Sequence, residues 1–170
     1  MDLKISLKSQ LYALRDLIIT SIVYFILIYF LYIHAEFDLF KILFLSTLAF
    51  YLIVFLLPVF VLHINYLSNA YRSIKVEENK ITPNENTIYR KNDIEKIRIY
   101  ASSQHFSGNV GVTALPFNDY YYYVEIELKN GEKINLSSLL DYKIDRIIKE
   151  NFKDNIVIEQ PSSFLMLLIK

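Results

Sequence analysis

The chain contains no cysteine, so disulfides and thiolate metal sites are excluded. It contains no tryptophan, although tyrosine and phenylalanine are abundant. Glycine occurs three times and proline four times in 170 residues, which excludes collagen-like and low-complexity readings. A net charge is missing too. The 18 lysines and arginines balance 18 aspartates and glutamates, which leaves no global attraction for nucleic acid. The three histidines, His34, His63 and His105, stand far apart and form no ligand motif.

Apolar residues are in excess, at 54% of the chain. They concentrate in residues 17–33 and 42–62, two runs without a charged side chain. At about 1.5 Å per residue, each run is close to the length that crosses a ~30 Å hydrocarbon core. A short polar stretch separates them, so they predict an antiparallel membrane hairpin. No A-x-A-like site follows the first run, which therefore does not read as a signal peptide. In residues 1–16, Leu3, Leu7, Leu11 and Leu14 recur at helical spacing and predict an amphipathic helix lying on the membrane surface. Lys4, Lys8 and Arg15 precede the first run, whereas Lys41 alone lies in the loop. Both termini are thus expected on the cytoplasmic side. Pro58 deprives the Val54 carbonyl of its helical donor, and Ser21 of the first run, water or a local distortion has to compensate.

From residue 71 the apolar period falls to two. Short strands are predicted at 71–77, 81–83, 87–90 and 95–101. In the last of these, Ile97 and Ile99 face one way, and Lys96 and Arg98 the other. Residues 102–118 break the pattern with Gly108, Gly111 and Pro116, and read as a long loop. Residues 119–129 are the best strand, with Tyr122, Val124, Ile126 and Leu128 on one face and Tyr121, Tyr123, Glu125 and Glu127 on the other. Asn130-Gly131 predicts a type I′ hairpin turn into a return strand carrying Ile134 and Leu136. The period then becomes 3.6. A helix over 139–152 is expected, capped by Ser138, with Leu140, Ile144, Ile147, Ile148 and Phe152 as its apolar stripe and Asp145–Lys149 as an exposed pair. An edge strand over 155–159 and an apolar tail at 164–169 complete the chain.

SIKVEENKITP, IEKIRIY, YYYYVEIELKNGEKINL and LLDYKIDRIIKENF follow one another in a recognisable order. Behind two spans, this layout resembles small bacterial two-transmembrane-helix proteins with a pleckstrin-homology-like (PH-like) cytoplasmic domain. The resemblance implies an α+β fold: an N-terminal transmembrane hairpin, then a small antiparallel PH-like sheet or barrel capped by one C-terminal helix. The expected division is 1–70 for the hairpin and its amphipathic lead, 71–159 for the β domain and 160–170 for the tail. The first hairpin turn reads Glu77-Glu78-Asn79-Lys80, which is acidic, so phosphoinositide binding is not carried over.

No residue pattern carries catalysis. Glu125 and Glu127 share a strand face with Lys129, and Gly108-Asn109-Val110-Gly111 opens no helix that would cradle a phosphate. The expected protein is therefore not an enzyme and needs no cofactor or metal. It is expected to be an interaction or scaffold module anchored in a bacterial inner membrane, whose partners are the bilayer and either another protein or copies of itself. The alternative is a ligand-gated membrane effector of a phage-defence system, responsive to a small cyclic-nucleotide-type ligand. Two recognition surfaces are expected. One is the loop bearing His105, Phe106, Gly108, Gly111, Leu115 and Phe117, whose apolar anchors exceed what solvation needs. The other is an exposed strand face of Lys96, Arg98, Tyr121 and Tyr123.

Overall fold

The computed structural model describes residues 1–84, 87–107 and 120–169. Its first element is a strand, β1 (Asp2–Lys4), and not the surface helix expected there. Leu3 is buried in the sheet core while Asp2 and Lys4 point outward, a period-two pattern too short to be visible in sequence. Helix α1 (Leu7–His34) follows, opened by a reciprocal cap between Ser6 and Ser9. It turns at Ala35 into α2 (Phe37–Tyr51), a π-helical turn (Leu52–Leu56) and α3 (Leu57–Asn69), which together form one helical rod. The π turn is the local distortion that Pro58 demands. The Leu57 N–H reaches back to the Leu52 carbonyl. Ser21 instead bonds within its own helix to the Leu17 carbonyl at 2.7 Å, and its hydroxyl lies 2.6 Å from that of Tyr51.

Both rods are long and apolar enough to cross a membrane. Their most apolar stretches are 0% and 11% buried, whereas the core helix of a soluble protein is mostly buried. Large apolar side chains face outward along them, including Ile19, Ile22, Phe25, Phe30, Ile42, Leu45 and Ile53. Toward the domain the picture changes. Ala13 on α1, and Val59, Leu62 and Tyr66 on α3, are buried against the second sheet. The second span read from sequence, 42–62, therefore overlaps the domain at its far end. The bare stretch begins earlier, at Phe37.

Two four-stranded sheets follow. In the first the order is β1-β2-β3-β4, with β2 (Ser73–Glu77), β3 (Lys80–Asn84) and β4 (Thr87–Arg90) joined by antiparallel pairing. Asn79, at φ 59°, makes the β2–β3 turn, a conformation asparagine tolerates. The second sheet holds β5 (Ile94–Ala101), the short helix α4 (Ser103–Ser107) at its end, β6 (Tyr123–Leu128), β7 (Lys133–Ser137) and β8 (Val157–Pro161), in the order β7-β6-β5-β8. β8 is an edge strand as expected, but it runs parallel to β5 and starts two residues later than expected. At the Asn130-Gly131 turn only Gly131 has positive φ, 87°. The turn is therefore not type I′. The Gly131 N–H closes onto the Leu128 carbonyl, and a single left-handed residue suffices.

Helix α5 (Ile144–Asn151) is shorter than expected. Ser138 is not its cap, because the Ser138 hydroxyl accepts from the Tyr122 N–H. Asp141 accepts from the Lys143 N–H instead. Ile144 and Ile148 are buried and Ile147 is partly so, in one core with Ile74, Ile97, Ile99, Val124, Ile126, Ile134 and Leu136. The tail docks inside the chain. Leu167 and Ile169 are buried beside α3, and the Asn65 side chain bonds both the Ile169 carbonyl and its N–H. The architecture is α+β: two long helical rods near the N-terminus, then two sheets paired antiparallel except at β5–β8, with one helix before the last strand.

Candidate functional site

The strand face expected to be exposed divides in two. Lys96 and Arg98 lie on β5 opposite Glu127 and Glu125 of β6. One Arg98 nitrogen stands 2.7 Å from both carboxylates, Lys96 meets Glu127 at 3.1 Å and Lys133 meets Glu125 at 3.0 Å. The hydrogen bond from Lys96 leads the interactions that hold the Glu127 carboxyl below its ordinary value. The two carboxylates are thus saturated by cations.

Tyr121 and Tyr123 are not exposed, which corrects the expectation of a stacking surface. Tyr121 is fully buried and Tyr123 nearly so. Their rings meet Tyr66 of α3 edge-on, at centroid distances of 5.7 and 6.2 Å, and Tyr123 stacks on Tyr100 at 4.7 Å. The Tyr121 hydroxyl lies 3.0 Å from His63 Nδ1. Burial pushes both phenols up. These rings seat the helical rods on the sheet. Alternation along β6 marked two faces but could not show that helices cover the second.

Of the expected recognition loop, His105 and Phe106 lie on α4, whereas Gly108, Gly111, Leu115 and Phe117 fall outside the described residues. Phe106 packs against the main core. His105 turns toward α5. Its Nε2 lies 3.2 Å from Asp145 Oδ2, and its ring sits 4.3 Å from that of Tyr122. The Tyr122 hydroxyl stands 3.0 Å from Asp145 Oδ1 and 2.6 Å from the Tyr142 carbonyl. Asp145 is therefore not the exposed partner of Lys149, which pairs with Glu159. Burial would raise the Asp145 carboxyl. The bonds from His105 and Tyr122, with the Arg146 N–H, outweigh it and hold that carboxyl below its ordinary value. Burial and the neighbouring carboxylate push the Tyr122 phenol well up, so it stays a donor.

This cluster floors a cavity of about 230 Å³ lined by His105, Tyr120, Tyr122, Tyr142, Lys143, Asp145 and Arg146. The Tyr12 ring of α1 packs on two of the lining rings, with centroids 5.3 Å from Tyr120 and 5.7 Å from Tyr142. The cavity thus joins α4, β6 and α5, and two of its lining rings contact the base of the first long helix. No group of three metal-ligating side chains is present among the described residues. Sequence reasoning placed only His105 here. Asp145 sits at the flank of the apolar stripe, where a wheel alone does not separate wet from dry.

A sheet domain with a C-terminal helix, built around the base of two long apolar helices, defines the class of PH-like domains carrying candidate membrane spans. A family model described as a PH domain matches residues 3–145, most of the chain, and the chain belongs to that family. The matched stretch begins inside β1 and so encloses both long helices. No curated protein and no solved structure matches the chain.

Proposed function

We propose that the protein is a non-enzymatic interaction module anchored in the bacterial inner membrane, with both termini cytoplasmic. Its PH-like domain binds a protein partner or assembles with further copies. One observation carries this reading. The apolar rods are bare along their length, yet their bases are built into the domain core through Ala13, Val59, Leu62 and Tyr66. Such a hairpin anchors the domain and fixes its attitude to the bilayer, which suits the display of a binding surface. Orientation follows from the basic residues Lys4, Lys8 and Arg15 before the first span. The test is alkaline extraction of native membranes, followed by the particle mass of the detergent-solubilised chain. Retention in the pellet and a mass above the monomer, or a stable complex with one partner, support the module. Release by alkali contradicts it.

A second reading is favoured by the Tyr12 contacts. A cavity with lining rings, Tyr120 and Tyr142, that contact Tyr12 at the base of the first long helix is suited to ligand gating. In that reading a small ligand, such as a cyclic nucleotide, shifts the hairpin and damages the membrane in phage defence. Growth arrest on overexpression that depends on a nucleotide signal separates it from the first.

A further inference from the structure

The second sheet ends at β8, and the register fixes which way its backbone points. The Ile97 N–H bonds the Ile156 carbonyl, and the Ser162 N–H bonds the Ala101 carbonyl. In this parallel ladder Ile158 and Gln160 turn both main-chain groups to β5, so the N–H and C=O of Val157 and Glu159 turn outward. No group among the described residues bonds those outward donors and acceptors.

Two other sheet ends are closed or blunted. β7 receives the Tyr71 N–H at the Asn135 carbonyl, and β1 is three residues long with Asp2 and Lys4 pointing outward. β8 differs from both. Ile156 and Ile158 are exposed on its outer face, while Val157 packs on the main core. Its one charge, Glu159, is paired with Lys149. Pro161 lacks a donor, so an added ladder ends there.

The direction of β8 follows from the long helices. α3 and β6 run side by side in the same sense. His63 meets Tyr121, Tyr66 meets Tyr121 and Tyr123, and the Tyr71 N–H reaches Asn135, which lies opposite Glu125. β6 therefore leads away from the apolar rods, and β8, antiparallel to it through β5, leads toward them. Two copies anchored in one bilayer present β8 pointing the same way. The edge cannot then close antiparallel on a second copy, and antiparallel ladders are the more stable kind.

We propose that the free edge of β8 takes up an extended segment of a partner protein as an added antiparallel strand, running away from the bilayer. The ladder selects a segment with apolar side chains at alternate positions, opposite Ile156 and Ile158 on the outer face. The intervening residues exchange main-chain hydrogen bonds with Val157 and Glu159. A helix offers no such row of groups. The inference deepens the anchored interaction-module reading above and rests on it.

The test uses the full chain in a neutral detergent and a fluorescein-labelled peptide, Thr-Val-Thr-Val-Thr with both ends blocked, followed by anisotropy and by amide hydrogen exchange of the chain. With its valines opposite the isoleucines, the peptide turns its threonine N–H groups to β8 and its valine N–H groups away. Saturable binding is expected. N-methylation of the threonines should weaken it about tenfold or more, whereas N-methylation of the valines should leave it nearly unchanged. The Val157 and Glu159 amides should exchange freely in the chain alone and become protected by the peptide. The Ile158 and Gln160 amides, turned to β5, should be slow throughout. Ile158→Lys, at an exposed position, should keep the Tm and weaken peptide binding about tenfold. Absence of saturable binding, equal loss from the two methylations, or undiminished binding by Ile158→Lys overturns the proposal. Protection of both amides without peptide, rising with the chain's own concentration, assigns the edge to a second copy and overturns it as well. Release of the chain by alkali defeats the anchored reading itself, whereas a retained chain that fails to bind the peptide defeats only this inference.

Discussion

Leu3 faces Ile74 across the first sheet in antiparallel register, with both long helices lying between them in sequence. The hairpin is therefore inserted between two paired strands of the domain. It is not appended in front of it. Strand closure around an insertion brings the first residues of α1 and the last of α3 to the same place, where both pack on the second sheet.

A fragment beginning at residue 71 should accordingly fail to fold as a soluble domain. It lacks Leu3 from one core and Leu62 and Tyr66 from the other, and it leaves Tyr121 and Tyr123 uncovered. Expression of residues 71–170 alone is expected to give aggregates. A soluble fragment with a cooperative melt would contradict this arrangement.

Ile126 is fully buried at the centre of β6. Ile126→Ala should cost about 2–5 kcal/mol, as large-to-small changes in packed cores do. Lys129→Ala, at an exposed position two residues beyond Glu127, should leave the melt unchanged. Paired denaturation curves in detergent would check both.

The phase of that strand was legible in sequence because Val124, Ile126 and Leu128 alternate with charged or tyrosine neighbours. What covers the other face was not. A tyrosine has an apolar ring and a polar tip, so Tyr121 reads equally as a wet residue or as a seat for a helix. Three residues of β1 are too few for any period, and leucines at helical spacing masked them. The candidate site failed in sequence for a different reason. His105 and Asp145 are brought together by tertiary packing, while Lys149 stood at the right spacing to claim Asp145. Pro58 foretold a distortion, and the π turn is where it falls.

Asp145 should govern part of the acid limb of stability. Its folded carboxyl lies below the ordinary value, so folding favours the ionised form. That contribution is full above the unfolded value of about 3.9 and is lost as pH falls through the folded one. Asp145→Asn should cost about 1.5–3 kcal/mol at neutral pH, from charged hydrogen bonds removed, and should flatten stability against pH in the acid range. An unchanged acid limb in the variant would argue against the His105–Asp145–Tyr122 cluster.

Within the hairpin, Ser21 and Tyr51 join the two rods by a hydrogen bond. Tyr51→Phe removes it while keeping the ring stacked on Tyr24 at 4.7 Å. Bonds of this kind contribute about 0.6 kcal/mol on average and about 1.7 at most. A double-mutant cycle with Ser21→Ala in detergent is expected to give a coupling in that range.

The central claim, a hairpin that crosses the membrane and holds the domain on the cytoplasmic side, is tested most directly by cysteine accessibility. The chain has no native cysteine, so single substitutions report without background. Phe37→Cys lies at the hairpin tip and Lys153→Cys on the exposed surface beyond α5. An impermeant thiol reagent applied to intact cells should label position 37, and should label position 153 only after the membrane is opened. Labelling of position 153 in intact cells with position 37 protected would contradict the orientation, and labelling of both would contradict the membrane crossing.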